Sequence, residues 1–480
     1  MKKIIYLFSL LISLSLVSCE SFFDLKPHDS TPTSDILTNV KDAQTMLNGV
    51  YARFMSSSSY GKNLTVLTDI MTDASLAASG FTNQMGYMYA WNIQPGVSEV
   101  SGLWSNHYGG IYNCNFLINN IDNLEGDSDE INRIKGEALI GRALLHYNMV
   151  RHYGKTYKAS SATQDLGVPY ITVNEIGAPH RNTVQDVYHN IIEDLEQALD
   201  LLPANPSADN VTFTSHFANG LLARVYLDMK DYDNAIIYAS EVIDNSGCIL
   251  AEGEAFQNMW LRDFSDEIIW KVGYTETDLG SAPGYNFGNR NNTSTLPQPD
   301  YIPADWLLNL YDVNNDIRFT TYFTYGDTGH GWPSYMVNKY PTNPTFPFTQ
   351  GMNMPKPMRL AEMYLIKAEA HAMQDEGQEA RDALDVLLTA RIANHNGIGA
   401  VGDQLKQFIF EERIRELIFE GFYYHDLKRF GLGFERSPQE NTSAANDLKI
   451  LGDDYRWQWP IPTSEINGNP NIKEQQNPGY

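Results

Sequence analysis

Apolar residues recur every three to four positions along most of the chain, the spacing of helices with one buried face. Ile36, Val40, Ala43, Leu47, Val50 and Phe54 predict a first helix over 34–55, with Ser34 as its N-cap. Tyr108, Ile111, Asn115 and Ile118 define a second over 104–121, and further helices follow at 129–152 and 183–202, the last stopped by Pro203. Pairing becomes explicit at 215–245, where Leu221, Leu222, Val225 and Tyr226 make one stripe. A turn at Asp231-Tyr232 separates it from a partner stripe of Ala235, Ile236, Ala239, Val242 and Ile243. Small alanines opposite large side chains permit the close packing of tetratricopeptide-like hairpins. A similar pair spans 358–393. The pattern predicts a mostly α protein with about four such pairs, their period broken by long insertions, which excludes a regular solenoid.

The late stretch 403–431 reads as one long amphipathic helix with Asp403 as its N-cap. Phe410, Ile414, Leu417 and Gly421 share a face; Glu411, Glu412, Arg413, Arg415, Glu416 and Glu420 lie opposite, spaced for Glu411–Arg415 and Arg413–Glu416 pairs. The aromatic and charged run from Phe422 to Phe430 implies that this segment docks on both sides. Its charges are read as holding the helix in place rather than as touching a ligand.

The insertions 56–103 and 250–357 lack helical periodicity and are rich in Gly, Pro, Asn and Thr, with many Trp and Tyr. Loops of this length in a compact protein usually carry function. A soluble oligosaccharide needs flat apolar surface against its C–H faces, framed by groups that can donate to and accept from its hydroxyls. The first insertion offers Asp69, Asp73, Asn83, Gln84, Tyr87, Tyr89, Trp91 and Asn92; the second offers Tyr285, Asn286, Arg290, Asn291, Trp306, Tyr325, Trp332 and Tyr335. Trp104 and Trp306 precede apolar runs and read as core. Trp91 and Trp332 stand among polar residues, where surface and packing roles are both open, and Asp69 and Asp73 fit helix caps or turns equally well.

Charge narrows the partners. With 34 Lys and Arg against 59 Asp and Glu, the 480-residue chain carries a net charge of -25. Nucleic acid, which demands a concentrated basic surface, is excluded as a ligand. At the N-terminus Lys2 and Lys3 precede the apolar run Ile4 to Val17, too short for a membrane span and typical of a signal peptide over 1–18. Cys19 follows Ser18 as in a lipobox, so 19–33 is expected to be a tether lipidated at Cys19, with one domain over 34–480. Cys114 and Cys248 are too few for a disulfide framework and match no zinc spacing. No nucleophile elbow, HExxH, P-loop or dinucleotide-binding motif is present, so no enzyme is expected. Asp312, Asn314, Asn315 and Asp316 lack the glycine and terminal glutamate of an EF-hand and read as a capped turn, so neither a metal nor a cofactor is expected.

Ile409, Glu412, Arg413, Glu416, Leu417, Phe419, Glu420, Gly421, Asp426, Leu427 and Arg429 resemble the late-helix hallmark of the SusD/RagB outer-membrane nutrient-binding lipoproteins. The 136–147 segment GEALIGRALLHY and the C-terminal WQWPIPTSEINGNPNIKEQQNPGY also resemble that family. Tyr423 departs from it, standing where many members carry Arg. The resemblance implies a surface lipoprotein of the cell outer membrane that binds glycan without catalysis. Its partner would be a SusC-like TonB-dependent transporter, over which it acts as a lid. It also implies ligand contacts from both insertions, here Asp73, Trp91, Tyr285 and Trp332, joined by Asn83, Asn92, Asn286, Arg290 and Tyr335. Peptide capture on the same fold, or a helical glycoside hydrolase or lyase, are the alternatives.

Overall fold

A computed structural model describes residues 37–480 apart from 176, 205–209, 289–295 and 348. The signal peptide, Cys19 and Arg290 therefore lie outside the described residues. Helices dominate: α1 Val40–Met55, α2 Ser98–Asn120, α3 Ser128–Tyr153, α4 Val184–Leu201, α5 Ser215–Met229, α6 Tyr232–Asn245, α7 Gly253–Leu261, α8 Leu360–Met373, α9 Gly377–Arg391, α10 Asp403–Leu417 and α11 Tyr423–Phe430. The first opens at Val40, not near Ser34, because the Asn39 side chain accepts from Asp42 N and supplies the cap. The second begins six residues earlier than its periodicity suggested.

Consecutive helices pack as hairpins, α2 on α3, α3 on α4, α5 on α6 and α8 on α9, and α6 against α8 joins the later pairs. In α4 the buried residues Val184, Val187, Ile191, Leu195 and Ala198 fall on one face, and Thr183 caps the start by accepting from Asp186 N. Between α5 and α6 the chain turns at Lys230 in a left-handed conformation, and Asp231 caps the second helix. Buried Ala235 and Ala239 leave room for the Leu221 and Leu222 stripe, as the sequence predicted.

Residues 403–431 are not one helix. The chain breaks between Leu417 and Tyr423, where Phe419 and Gly421 have φ of 62° and 86°. A Cβ on Gly421 would stand 1.9 Å from Leu64 O, so only glycine fits this crossing. The charged face, read as holding the helix in place, is largely buried. Glu416 receives Arg359 at 2.8 Å, Arg391 at 3.0 Å and Arg318 at 3.1 Å. Glu420 pairs with Arg359 and Lys339, each at 2.7 Å, and Glu267 with Arg359 at 2.7 Å and Arg391 at 2.8 Å. Arg413 turns to Asp426 at 3.1 Å and Glu369 at 3.5 Å, leaving the Arg413–Glu416 pair unmade. Arg415 chooses Glu412 at 2.6 Å over Glu411 at 3.9 Å. Buried charges so fully paired act as a lock, since removal of any one leaves the others desolvated.

Short antiparallel strands hold the two insertions: β1 Ser75–Ala77 on β3 Tyr301–Pro303, β2 Ile268–Trp270 on β6 Met358–Arg359, and β4 Phe323–Asp327 on β5 Pro333–Val337; a further pair, β7 Phe434–Arg436 on β8 Leu448–Ile450, follows α11. Asp312 accepts from Asn314 N and Asn315 N as a capped turn does. Cys114 is buried, Cys248 is partly buried, and both are free thiols.

Candidate functional site

The two insertions meet. Leu76 pairs with Ile302 and Ala77 with Tyr301 across β1 and β3. Behind that strip sits buried Asp300, whose carboxylate accepts from Thr82 N at 2.6 Å, Thr82 Oγ1 at 2.8 Å and Asn286 Nδ2 at 3.2 Å. Asn286 also donates to Gln84 Oε1 at 3.0 Å, and Tyr301 Oη donates to Gln84 O at 2.6 Å. A buried carboxylate with its acceptor sites so filled clamps the two segments.

The β4–β5 hairpin packs on β3 from the other side. Its tip is tied down by His330 Nε2, 2.9 Å from Pro299 O, and the His330 ring stacks on Trp332 with centroids 5.2 Å apart. Across the hairpin Tyr325 lies opposite Tyr335, centroids 5.1 Å apart, with the Tyr325 ring 62% exposed. Trp332 and Tyr335 are partly buried.

A cleft of about 930 Å³ opens beside this hairpin. Tyr285, 39% exposed, gives it ring surface, with Phe287 buried behind the wall; Thr324, Asn338, Thr342 and Gln350 give it neutral polar atoms. No charged residue lines it among the described residues. Its back is pinned where Gly284 N donates to Gly351 O at 3.1 Å, an approach so close that a Cβ on Gly351 would stand 2.5 Å from the Gly284 carbonyl carbon. A second cleft, about 510 Å³, is lined by Asn83, Asn92, Gln94, Glu99 and Tyr87, the last 66% exposed. Asn83 and Asn92 therefore share one cleft and Tyr285 lines the other.

Three expected contacts are corrected. Trp91 is 1% exposed; its Nε1 donates to Met71 O at 2.7 Å and its ring meets Trp457 edge-on at 4.8 Å. It is core, with no face left to stack on a ligand. Asn286 is buried and spends its amide on Gln84 and Asp300, so it positions the site rather than lining it. Asp73 is partly buried and accepts from Tyr423 Oη at 3.1 Å; burial pushes its carboxyl up to about 6, with the Tyr423 hydroxyl opposing. It belongs to the joint between the first insertion and α11. Trp104 is core as expected, while Trp306 is partly buried and donates from Nε1 to Asp73 O at 2.9 Å. The clamp residue Asp300, the tip residue His330 and the cleft amides Asn338 and Gln350 were not foreseen. A carboxylate buried by distant segments carries no local signature.

Comparison with known proteins agrees with this architecture. Residues 21–227 match a family model described as starch-binding, associating with the outer membrane, and 324–480 match the SusD family model. SusD-like protein P2 of Formosa agariphila is 26% identical, the match covering 100% of both chains. A SusD superfamily protein of Bacteroides thetaiotaomicron is 29% identical with a TM-score of 0.81, over 92% of this chain and 100% of that one. A Bacteroides vulgatus protein described as a candidate sugar-binding protein is 26% identical, TM-score 0.79, over 93% of this chain and 99% of that one. The chain belongs to the SusD/RagB family.

Proposed function

We propose that the chain is a non-catalytic surface protein that captures neutral oligosaccharide and delivers it to a SusC-like TonB-dependent transporter. Lipid on Cys19 would hold it at the outer membrane, facing outward. The observation that carries the reading is the uncharged cleft beside the β4–β5 hairpin, with Tyr285 at its wall. Rings fit the C–H faces of sugars, and amide and hydroxyl groups match both donor and acceptor sides of sugar hydroxyls. Trp332, Tyr335 and exposed Tyr325 extend ring surface along the same hairpin. Asn83, Asn92 and Tyr87 offer a further contact across the clamp. Arg290 would add a cationic donor from outside the described residues.

Glycoside cleavage requires a pair of carboxyl groups flanking the scissile bond. None lines this cleft among the described residues, which supports capture over hydrolysis. Family membership and the starch-binding description of the N-terminal model support the same substrate class. Each stacked ring contributes about 1 kcal/mol and each hydroxyl hydrogen bond about the same, giving a Kd of roughly micromolar to millimolar. Weak capture of that order suits release to a transporter.

Titration of the protein with neutral oligosaccharides, followed by tryptophan fluorescence, tests the reading. Saturable binding that weakens in Tyr285→Ala supports it. Binding of peptides with no response to any oligosaccharide would replace it with peptide capture.

A further inference from the structure

A small cleft of about 20 Å³ lies in the helical scaffold, where the C-terminal turn of α3 and the loop after it face α4, α5 and α11. No residue of either insertion lines it. Its charge is unlike the rest of the molecule: Arg151, Lys155, Lys428 and Arg429 stand around a single carboxylate, Asp228, in a chain of 34 basic and 59 acidic residues.

Most of those cations are already engaged. Arg429 donates to Glu369 Oε2 at 2.6 Å and Asp426 Oδ1 at 2.8 Å, and Lys155 pairs with Asp165 at 2.6 Å. Arg151 reaches Asp228 only at 3.5 Å, and that carboxylate already accepts from Tyr147 Oη at 2.7 Å. Lys428 makes no close ion pair among the described residues, and Asp228 acts on it only from farther across the cleft. Its Nζ donates to Arg151 O at 2.5 Å and Gly154 O at 3.0 Å, which leaves one N–H free on a side chain 9% exposed. Beside it His425, 6% exposed, packs its ring on His152 and Tyr424 and makes no hydrogen bond among the described residues. Burial, followed by the neighbouring Arg151 charge, pushes the Lys428 ammonium down to about 7. A buried ammonium with a spare donor and no directly paired counter-charge is costly, with Asp228 shared between Arg151 and Tyr147, and an anion placed against it would relieve that cost.

We propose that this cleft takes one oxygen of a small oxyanion, held by Lys428, Arg151 and His425. The space admits about one water-sized group, so a free small anion or the charged end of a larger molecule enters by one oxygen while the rest stays outside, past the half-exposed Lys155. A uronic acid presents such a group, and so does acetate.

Thermal unfolding of the purified full-length protein at pH 7, with chloride replaced stepwise by acetate or glucuronate at fixed ionic strength and glucose as the uncharged control, tests the site. The midpoint rises to a plateau with acetate, with glucuronate or with both, and glucose leaves it unmoved; acetate alone identifies a free ion, glucuronate a sugar-borne one. Lys428→Met abolishes the rise. Should that variant fail to fold, Lys155→Met at the mouth serves instead and raises the half-saturating concentration at least threefold. A wild-type midpoint indifferent to both anions, or a rise unchanged in the variant, overturns the proposal.

Discussion

The Tyr423 hydroxyl donates to Asp73 Oδ1 at 3.1 Å, joining the first residue of α11 to the first insertion. A neutral donor, not a cation, faces this partly buried carboxylate. Without a full counter-charge, burial prevails and the Asp73 carboxyl is pushed up to about 6.

That relationship has a pH signature. The folded carboxyl binds its proton more tightly than the unfolded one at 3.8, so its contribution to stability is greatest below 3.8 and is lost as pH rises through 6. Asp73→Asn removes this dependence. Tyr423→Phe costs about 1 kcal/mol at pH 5, where the acceptor is a neutral acid, and about 2 kcal/mol at pH 8, where it is a carboxylate. Urea denaturation at the two pH values checks the difference; equal costs would show that the hydroxyl does not serve the ionised form.

Glu416 offers a larger effect. Burial alone would raise its pKa, yet Arg391, Arg359 and Arg318 hold it well below the ordinary carboxylate range. Glu416→Gln leaves three guanidiniums short of one buried counter-charge and costs about 3–5 kcal/mol. Glu411→Gln, on the same helix but at a 3.9 Å pair with its carboxylate 35% exposed, costs less than about 0.5 kcal/mol. Thermal or urea unfolding of the two variants separates lock from ornament.

The contrast between those glutamates marks where sequence reading reached its limit. Helix pairs were legible because one stripe of Leu, Val and Ala meets another a short turn away, as at 215–245, and both halves of the contact lie in one window. The late stretch misled in its continuity: its charges were read as holding the helix in place, but the break at Phe419 and Gly421 and the partners Arg318, Arg359 and Arg391, which arrive from other elements, leave no mark in the local pattern. Trp91 misled similarly: its polar neighbours suggest a surface, but Tyr424 and Trp457 cover it from the far end of the chain. Tyr285 is exposed, and its cleft depends on the Gly284–Gly351 crossing, which no local pattern announces.

Acid should unfold the protein earlier than its carboxylates alone would require. Burial pushes His107 and His146 down to about 3 and holds His152 and His425 well below 6.5. Between pH 6.5 and 3 the unfolded chain takes up protons that these folded rings refuse, so stability falls as pH drops through that window. Asp69, raised to about 7 by burial, and Asp73 act in the opposite sense, two groups against four. The urea midpoint is expected to decline steadily from pH 7 to pH 5. His107→Gln and His146→Gln flatten the decline, and a flat wild-type profile would contradict the assignment.

Tryptophan substitutions separate packing from capture. Trp91 loses a buried hydrogen bond to Met71 O and its ring contacts when cut to alanine, a change that costs about 3–5 kcal/mol of stability. Trp332 is partly buried and stacked only on His330 at the hairpin tip, so Trp332→Ala costs about 1 kcal/mol or less in stability. In oligosaccharide binding the order reverses. Trp332→Ala and Tyr285→Ala each weaken Kd about fivefold, the loss of one stacked ring, while Trp91→Ala, measured at a temperature where it remains folded, leaves Kd within about twofold. Calorimetric titration on the same three preparations reads both quantities. Unchanged Kd in both Trp332→Ala and Tyr285→Ala would remove the hairpin and its cleft as the capture surface and move attention to Tyr87, Asn83 and Asn92, which line the smaller cleft across the Asp300 clamp.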